Sequence, residues 1–536
     1  MPNGLTRAWR RLEAFSERPA AAVVLLAIAL AEYALVSLAF PLAAGRDLGT
    51  YLRASFELRA DEIVLPQALL SRAPVTGVVS EGLLAAGPLA AEVALGLLYA
   101  LSVLCWWRVA RKVGAAPSLA LAAILLAYPG YVLLFHRLAS DALYAAAFAL
   151  AALVTARLVE SRTPGRAAAV GLALALLVLI RPVSQILIVL APLLLLGRGA
   201  WRPRIGTLAA FGVAAVAPLL LWAGHNAVRA DDFTVVRGAG HGLPLYRAFV
   251  VDRIVSPENG EASRELARAV QKDLLPREPY RSYGIDLDTF FSSGSARMHE
   301  DLIGLSDRTW GWDDDYAHLA RVGGEAVRAH PGSYARGVAR DSWRLLWWPV
   351  FLPEADGNAD TSRQLAGSAQ LPEPSEGQPI PSASVSGFIS TPNGRFREVW
   401  TSPTEHEIYA DDPSDAAQLD RMNRRVNELL GRFSDRSASG ELGSWLNRAS
   451  RWFPRPVVWL AIGVLALAIR RPRNPATPII LTAAALLVIL GTSLAVPAAA
   501  EYSTPVVPAF LLIAACGVAG PRAADVRRPG RGMARR

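Results

Sequence analysis

Apolar residues lie in long, nearly uninterrupted blocks along this chain and not in the periodic scatter of a soluble domain. A block of about 20 apolar residues is long enough for a helix to cross about 30 Å of hydrocarbon, where backbone groups must be bonded within helices or closed barrels. The blocks are rich in Ala and Leu, which favours helices. About ten transmembrane helices are therefore predicted, near residues 20–40, 83–107, 115–135, 139–158, 166–180, 183–197, 205–223, 455–469, 477–497 and 503–519.

Basic residues set the predicted orientation, because short loops rich in Arg and Lys stay on the cytoplasmic side of a membrane. Every second connection between the predicted spans is basic, from Arg7 and Arg11 before the first span to the tail at 522–536. This alternation requires the two short apolar runs around Arg181-Pro182 to cross separately, whereas one bent helix there would reverse the orientation of everything downstream. Both termini are therefore predicted to be cytoplasmic, in a multi-pass protein of the plasma membrane.

Composition and charge agree with a membrane protein. The 536 residues are 52% hydrophobic and carry a net charge of +9, most of it in the basic loops and the tail, so topology explains the charge without nucleic acid. Both cysteines, Cys105 and Cys516, lie in predicted spans, which leaves no disulfide for the soluble part. No Gly-rich phosphate loop, nucleophile elbow or zinc-protease helix occurs, which argues against an ATPase, a serine hydrolase and a metalloprotease.

Two long segments between the spans are expected outside the cytoplasm, and they divide the chain into three parts. Residues 1–223 form an N-terminal membrane core with an outer loop at 41–82. Residues 224–454 form a soluble domain, and residues 455–536 hold three spans and the basic tail. The predicted fold class is an all-α polytopic membrane protein with a large extracytoplasmic domain of mixed secondary structure.

The predicted domain contains several local patterns. The spacing of apolar residues predicts helices at 261–275, 315–328 and 414–433. The stretch 356–393 is rich in Ser, Pro, Gly and Gln, which predicts a mobile loop. Residues 342–352 are apolar, Trp-rich and too short to span, so an interfacial or re-entrant helix is predicted. Such a helix would be a platform for a lipid substrate or a simple anchor.

Polar side chains collect at the outer ends of the predicted spans. Ionisable groups at membrane depth are costly and usually face a cavity or a partner, so such a collection predicts a functional site. The residues are Arg46, Asp47, Arg137, Asp141, Arg181, His225, Asn226, Arg229, Glu501 and Tyr502.

Five stretches of sequence carry these polar residues. They are Gly45 to Tyr51 after the first span, 134–144 at the start of the fourth, Leu179-Ile180-Arg181-Pro182 between the fifth and sixth, 222–226 with 233–236 at the entry into the domain, and 501–508 with its Pro-x-x-Pro pattern. In their order and shared side of the membrane they resemble the GT-C glycosyltransferase superfamily. The nearest branch is that of the protein O-mannosyltransferases and aminoarabinose transferases. The resemblance covers most of the membrane region and does not extend to the domain.

The resemblance implies a GT-C-like helical core and an enzyme that transfers a sugar from a polyprenyl-phosphate carrier to an acceptor outside the cytoplasm. That acceptor would be a cell-envelope glycan, a lipid or a protein. An inverting transfer to a hydroxyl needs a carboxylate that takes the acceptor proton, and cations that stabilise the departing phosphate. Asp47 is the predicted base, and Arg181, helped by Arg137 or Arg229, is the predicted phosphate contact. The other residues at the span ends are predicted to bind substrate.

Asp47 departs from the family in its neighbours. Many members carry a second acid beside the first, whereas Arg46 precedes Asp47 and Leu48 follows it. Asp61 and Glu62 are alternative acids in the same loop. Asp47 also has two structural alternatives, an ion pair with Arg46 and a helix cap before Leu48.

Two other functions fit the same pattern. A transporter or flippase of envelope lipids or glycans would need charged groups within spans and broken helices near the midplane, whereas the polar groups here lie at span ends, apart from the Arg181-Pro182 break. A non-catalytic envelope scaffold would use the large domain to bind a partner. In that protein Arg181 would only reach for lipid headgroups, and Asp141 and Glu501 would only cap helices.

Two acidic groups in the domain resemble the carboxylates that hold a metal and a nucleotide diphosphate in soluble glycosyltransferases. They are Asp286 with Asp288, and Asp313 to Asp315. Nucleotide sugars are not expected outside the membrane, so solvated acidic loops are favoured. No cofactor follows from the sequence, although a divalent cation is compatible with it. The expected partners are a polyprenyl-phosphate sugar donor, membrane lipids and the acceptor.

Overall fold

The computed structural model describes residues 11–192, 201–238, 243–277, 280–347, 396–400, 406–410, 412–433, 440–470 and 475–521. Most of these residues are helical. The predicted mobile loop at 356–393 lies outside the described residues. So do the last residues of the predicted span at 183–197 and of the predicted interfacial helix at 342–352.

Proline begins most helices of the N-terminal part, because its fixed φ suits the first helical position and it lacks an N–H that would be unbonded there. The helices are α1 (Pro19–Ser37), α2 (Leu48–Arg59), α3 (Pro66–Leu70), α4 (Pro74–Ala86), α5 (Pro88–Arg111), α6 (Ala115–Leu126), α7 (Pro129–Leu134), α8 (Ser140–Glu160), α9 (Pro164–Ile180) and α10 (Trp201–Ala230). A 3-10 helix, Pro182–Leu190, follows α9.

The domain is built mainly from short helices around its own apolar core. The helices around this core are α11 (Leu243–Tyr246), α12 (Glu261–Ala269), α13 (Tyr280–Tyr283), α14 (Leu287–Ser292), α15 (Ala296–Trp310) and α16 (Ala317–Ala329). The later helices α17 (Pro331–Trp347), α18 (Pro413–Leu430) and α19 (Gly440–Trp452) place buried residues in the core of the membrane helices. Short π-helical turns, Arg247–Val251 and Val270–Leu274, extend α11 and α12, and 3-10 turns lie at Pro257–Asn259 and Trp312–Asp314. The helices predicted at 261–275, 315–328 and 414–433 are confirmed.

Two small β-structures complete the described chain. Strands β1 (Ala43–Ala44) and β2 (Arg137–Leu138) form a parallel bridge. Strands β3 (Phe396–Trp400) and β4 (His406–Ala410) form an antiparallel pair. The last helices are α20 (Pro456–Arg470), α21 (Ala476–Ala495), α22 (Ala500–Ser503) and α23 (Val507–Ala519), with a 3-10 turn at Thr504–Val506 before α23.

Six helical segments among the described residues are long and apolar enough to cross a membrane. They are Pro19–Ser37, Pro88–Arg111, Ser140–Glu160, Ile205–Ala230, Ala476–Ala495 and Glu501–Ala519. Four shorter apolar helices accompany them, namely α4, α6, α9 and α20. The prediction of a helical polytopic membrane protein is confirmed.

Two predicted spans contain a break in the structure. The span predicted at 83–107 begins only at Pro88, because Gly87 has a φ of 110°, which ends α4 and starts a new helix. The span predicted at 115–135 is interrupted at Tyr128, since Pro129 cannot continue the hydrogen-bond ladder of α6. Both predictions had the right location and missed a break.

Close approach of small residues holds neighbouring membrane helices together. A Cβ added to Gly171 on α9 would lie 2.4 Å from the carbonyl oxygen of Phe211 on α10. A Cβ added to Gly463 on α20 would lie 2.6 Å from Cγ2 of Ile513 on α23. Lipid supplies no hydrophobic force between helices, so such close packing contributes van der Waals contact in its place. The close packing of these helix pairs fixes the positions of their ends, where the polar groups lie.

A buried arginine joins the domain to the membrane helices. The Nε and Nη2 atoms of Arg247 donate to the two carboxylate oxygens of Asp252 at 2.9 and 3.1 Å, and Nη1 donates to Asp341 at 3.0 Å. Nη1 also donates to the backbone carbonyl of Ser493 in the last turn of α21. Two carboxylates around one guanidinium compensate the burial of the charge. The domain thereby fixes the end of α21 and the chain that continues into α22.

Candidate functional site

Arg46 forms the first of two adjacent ion pairs at the domain side of the membrane helices, the side on which α10 and α20 join the domain. It makes a salt bridge with Glu501, and its Nη1 donates to the Tyr502 hydroxyl at 3.2 Å. The Arg46 Cζ lies 5.3 Å from the centroid of the Tyr502 ring. Both partners of the ion pair are partly desolvated, which strengthens their attraction relative to an exposed pair.

Arg181 forms the second ion pair. It bonds to Asp141, and its Nε and Nη2 each lie 3.2 Å from the Ser140 hydroxyl oxygen, which accepts from both. Its Cζ lies 5.3 Å from the ring centroid of Tyr144 and 5.6 Å from that of Tyr502. Tyr502 is thus in cation–π range of both Arg46 and Arg181, and this shared ring joins the two ion pairs into one cluster.

A close crossing of the chain places Arg46. Gly45 donates its N–H to the Leu138 carbonyl at 3.0 Å beside the β1–β2 bridge. A Cβ on Gly45 would lie only 2.3 Å from the Ala139 Cβ, so this position requires glycine. The crossing sets Arg46 next to the first turn of α8, which carries Asp141.

The other members of the cluster lie at helix ends. Arg181 has extended backbone angles and ends α9, as expected for a residue before proline. Asp141 lies in the first turn of α8, where the helix dipole favours a negative charge. Glu501 lies in α22, shortly after the α21 end that Arg247 fixes. Four separate chain segments therefore converge on one place.

Charge interactions link the two pairs. Burial alone would lower the pKa of Arg46, but the neighbouring Tyr502, Glu501 and Asp141 outweigh it and hold that pKa above its usual range. Arg46 is therefore a cation at any physiological pH. With two arginines and two carboxylates the cluster is close to neutral, so an incoming anion must compete with a carboxylate for each guanidinium.

Asp47 follows Arg46 in the chain, but its carboxylate does not join either ion pair of the cluster. It pairs with Arg72 at 3.5 Å, and its side chain is 46% exposed. Its φ is 61°, a left-handed conformation that is uncommon for a residue other than glycine. Its carboxylate accepts no hydrogen bond from the start of α2, although Asp47 precedes that helix, and the Arg46 side chain pairs with Glu501. The structure therefore supports neither structural alternative for Asp47, the helix cap or the pair with Arg46.

Two further side chains at the edge of the cluster were missed by sequence reasoning. Arg72 binds Asp47, and its Cζ lies 5.5 Å from the ring centroid of Tyr51. Tyr51 in turn acts electrostatically on Arg181. Tyr51 follows Asp47 by one helical turn within the Gly45 to Tyr51 motif, which was an available signal. Arg72 had no signal, because its partner is known only from the folded chain.

Tyr246, at the end of α11, is a side chain of the domain that lies near the Arg46 and Arg181 cluster. Burial raises the pKa of its hydroxyl, and the charges of Arg46 and Asp47 also act on it. Its ring packs edge to face against His299 at 4.8 Å between centroids. The domain therefore contributes at least one side chain within electrostatic range of the cluster.

Three predicted site residues lie at the end of α10, where two bond to backbone and one stacks on a neighbouring ring. Arg229 donates to the carbonyls of Ala60 and, at 3.3 Å, of Asp61. Asn226 donates to the Thr234 carbonyl at 2.7 Å. The imidazole of His225 stacks on Trp222, whose indole N–H donates to the Val235 carbonyl at 2.9 Å. Among the described residues none of the three bonds to the Arg46 and Arg181 cluster.

Arg137 lies at the crossing of the chain that positions Arg46. It is the first residue of β2 and stands opposite Ala43 of β1 in the parallel bridge. Its role as a helper in phosphate binding stays a prediction.

The acidic groups of the domain have local structural partners. Asp286 caps α14 by accepting from the Thr289 N–H at 2.7 Å. Asp314 accepts from the His318 N–H at 2.9 Å at the start of α16. Across the described residues no group of three or more His, Cys, Asp or Glu side chains is arranged to hold a metal ion. A divalent cation at this protein stays a hypothesis.

A small apolar cavity lies among the membrane helices. Leu177 precedes Arg181 by one turn of α9, and Phe148 follows Tyr144 by one turn of α8, so two residues of the cavity lining lie one helical turn from members of the cluster. Apart from one threonine its lining side chains are hydrocarbon or aromatic, namely Phe148, Ala151, Ala152, Thr155, Val170, Leu174, Leu177, Leu187, Leu190, Ala191, Phe211, Ile480, Leu481 and Ala484. Such a lining favours a hydrocarbon ligand over a polar one.

No family model matches the chain, and no curated protein matches it. Two solved structures are similar to it, the crystal structures of ArnT from Cupriavidus metallidurans in the apo state and bound to undecaprenyl phosphate. They are 14% and 15% identical, with TM-scores of 0.32 and 0.33, and each covers 93% of this chain and 77% of the other.

Proposed function

We propose that this protein transfers a sugar from a polyprenyl-phosphate carrier to an acceptor at the domain side of the membrane. The observation that carries the proposal is the convergence of Arg46 and Arg181 on Tyr502, beside an apolar cavity. Two guanidinium groups suit a phosphate, and the cavity suits an isoprenoid chain. A lipid that carries a phosphate head on a hydrocarbon tail satisfies both features at once.

The proposed binding step exchanges partners at the arginines. Without ligand, Asp141 and Glu501 hold Arg181 and Arg46 in place. The phosphate of the carrier would take over the fork of Arg181, whose bidentate geometry matches two phosphate oxygens. Arg46, which lies against the Tyr502 ring, would place a second positive charge near the phosphate. The ion pairs thus keep the site pre-organised, which lowers the cost of ordering it on binding.

The proposed transfer inverts the anomeric carbon. The acceptor hydroxyl oxygen attacks that carbon, the bond from the carbon to the phosphate oxygen breaks, and the phosphate leaves as an anion held by Arg181. A carboxylate takes the acceptor proton. We assign this role to Asp47, whose half-exposed carboxylate and strained backbone fit a group kept for chemistry and not for capping.

The test is a donor panel offered to purified protein in detergent with native lipid. Radiolabelled polyprenyl-phosphate monosaccharides are supplied one by one, and release or transfer of the sugar is measured. Two variants neutralise one ion pair each, Arg181→Gln/Asp141→Asn and Arg46→Gln/Glu501→Gln, so neither leaves an unpaired buried charge. We expect the wild type to consume one class of donor, and both variants to lose turnover while they keep their thermal stability.

The alternatives predict other results. A scaffold would consume no donor in any form. A transporter would move labelled lipid between leaflets without release of sugar. Turnover that survives in both variants would place the phosphate elsewhere and would overturn the assignment of this cluster.

A further inference from the structure

Helix α17 carries a stripe of arginine and tryptophan on its exposed face. Its opposite face is buried and includes Val338 and Leu345. The exposed positions recur at helical spacing and are Arg336, Arg340, Trp343, Arg344 and Trp347. The Trp343 side chain is 54% exposed and stacks on Trp347 at 5.7 Å between centroids. Water does not favour such a pairing of exposed indoles with guanidinium groups, whereas the headgroup layer of a bilayer does.

The attachments of α17 fix its depth and direction. Near its start, the Tyr334 hydroxyl donates to the Leu494 carbonyl at 3.2 Å, in the last turn of α21. At its end, the Trp347 carbonyl accepts from Arg455 at 2.8 Å, directly before α20. The Arg455 Cζ also lies 5.1 Å from the Trp347 ring centroid. The start of α20 and the end of α21 lie on the same side of the membrane. Because α17 is attached to both, it lies along the membrane surface at the level of these helix ends.

Helix α19 repeats the pattern on the other side of Arg455. Its exposed positions include Trp445, Arg448 and Trp452, again at helical spacing. Trp452 is 87% exposed. The next residue, Phe453, stacks on Tyr128 at 4.6 Å between centroids, which fastens the end of α19 to the membrane helices. The two stripes, called here the Trp–Arg belt, therefore lie beside the entry of α20 into the membrane.

The belt on α17 keeps a positive excess. Arg340 and Arg344 lie 3.7 and 3.5 Å from Asp341, and Arg340 also lies 3.9 Å from Asp252. Arg247 already bonds both of these carboxylates, so three guanidinium groups share two negative charges. The guanidinium groups of Arg340 and Arg344 remain about half exposed. Exposed basic side chains near a bilayer surface are attracted to anionic lipid headgroups.

We propose that the Trp–Arg belt binds anionic phospholipid headgroups on the domain side of the membrane, with the indoles at the headgroup boundary. This function is independent of the proposed sugar transfer. It orients the domain over the bilayer, since α17 also carries Asp341, which together with Arg247 joins the domain to α21. The occupant is the bilayer lipid itself and not the substrate, because the belt lines an outer helix face and not the cavity.

The first test measures which lipids stay with the protein. The full chain is placed in nanodiscs of phosphatidylcholine and phosphatidylglycerol in equal parts, and retained lipid is identified by native mass spectrometry. We compare the wild type with Arg340→Gln/Arg344→Gln/Arg448→Gln. The matched control, Arg264→Gln/Arg268→Gln/Arg328→Gln, removes three exposed arginines of α12 and α16. Basic residues on the opposite side of the membrane also bind phosphatidylglycerol. Their contribution is the same in the wild type, the belt variant and the control.

The expected result is an enrichment of phosphatidylglycerol on the order of 3-fold or more in the wild type, since basic residues near a bilayer surface attract anionic lipid. The belt variant should retain clearly less phosphatidylglycerol than the wild type, and the control should match the wild type. Equal retention by wild type and belt variant overturns the proposal, and so does an absence of enrichment in the wild type.

A second test locates the belt without removing charge. A benzophenone amino acid replaces Trp343 or, separately, Trp452, and irradiation in the same nanodiscs links it to whatever it touches. We expect lipid adducts in which phosphatidylglycerol exceeds its share of the bilayer, and none from the same amino acid at Arg264. If Trp343 and Trp452 yield no lipid adduct, the belt faces water and the proposal fails.

Discussion

Two groups of polar side chains lie at the ends of membrane helices, and they differ in what they bond to. Arg46 and Arg181 bond to carboxylates and hydroxyls of other side chains, whereas Arg229 and Asn226 donate to backbone carbonyls. A side chain can exchange its partner for a ligand, but a carbonyl that shapes a loop cannot leave without disordering the loop. Residues of the same type at similar positions therefore form a candidate site in one place and a structural joint in the other.

The largest expected effect comes from the acid beside the first group. Asp47→Asn should lower transfer by about 100- to 10,000-fold, the range of general acid–base catalysis, because the acceptor proton loses its carboxylate. The matched control in the second group is Asp61→Asn, since the Asp61 carbonyl and not its carboxylate binds Arg229. Initial rates with saturating donor check both variants. Equal losses in the two would remove the distinction between the groups.

The phosphate contact should give the next largest effect. Arg181→Ala should reduce kcat by about 100- to 1,000-fold, as when one preorganised donor to a developing anion is removed. The loss also leaves Asp141 unpaired in a desolvated place, which would destabilise the fold by about 3–5 kcal/mol. Arg181→Lys keeps the charge and separates the two effects, because a variant that stays folded and still loses turnover reports on the fork geometry.

The partner of Arg46 should matter less. Glu501→Gln keeps a hydrogen-bond acceptor near Arg46 but removes its negative charge, so Arg46 becomes more available to the phosphate. We expect the KM for the donor to change by about 10-fold or less, equivalent to about 1.4 kcal/mol, with a smaller change in kcat. Steady-state kinetics over a range of donor concentrations measure the two constants separately. A loss of kcat as large as that of Asp47→Asn would instead identify Glu501 as the base.

Arg229→Ala should affect stability and leave activity nearly intact. The substitution removes two hydrogen bonds to the loop carbonyls of Ala60 and Asp61. A free-energy cost of about 1–3 kcal/mol is expected if the carbonyls stay unsatisfied. Thermal unfolding in nanodiscs measures this cost, and turnover per folded molecule should stay within about 3-fold of the wild type. A loss of turnover without a loss of stability would move Arg229 into the site.

The smallest expected effect is a pH dependence in the domain. Burial lowers the pKa of His299 from 6.5 to about 4, so the folded domain favours its neutral form. The stabilising contribution of neutral His299 is present above pH 6.5 and is lost as the pH falls towards 4. His299 packs on Tyr246, which faces the cluster, and His299→Phe keeps an aromatic ring there. Thermal unfolding of this variant should depend less on pH between 6.5 and 4 than that of the wild type.

The membrane helices were predictable because their signal is local. Long apolar blocks specify helices without knowledge of any partner, and proline and glycine mark most of their ends. The breaks at Gly87 and Tyr128 were missed because an apolar block continues through both. Averaged hydropathy does not respond to one residue with an unusual backbone angle.

The membership of the site was only partly predictable. The criterion of a polar residue at the end of a predicted span identified five residues that the fold brings together, namely Arg46, Asp141, Arg181, Glu501 and Tyr502. The same criterion also selected His225, Asn226 and Arg229, which bond to loops or stack locally. Topology predicts how deep in the membrane a residue lies. Which residues lie next to one another at that depth depends on which helices pack side by side. The Asp47 pair with Arg72 depends on the path of the outer loop and has no counterpart in a linear pattern.

Direct binding of a polyprenyl phosphate without sugar tests the difference between the two groups most simply. Affinity is measured for wild type, Arg181→Lys and Arg229→Lys in nanodiscs, each variant keeping its charge and losing its planar fork. We predict that Arg181→Lys weakens binding by about 10-fold or more, equivalent to at least about 1.4 kcal/mol, and that Arg229→Lys binds like the wild type. Equal binding by wild type and Arg181→Lys, or weakening confined to Arg229→Lys, would contradict the placement of the phosphate at the Arg46 and Arg181 cluster.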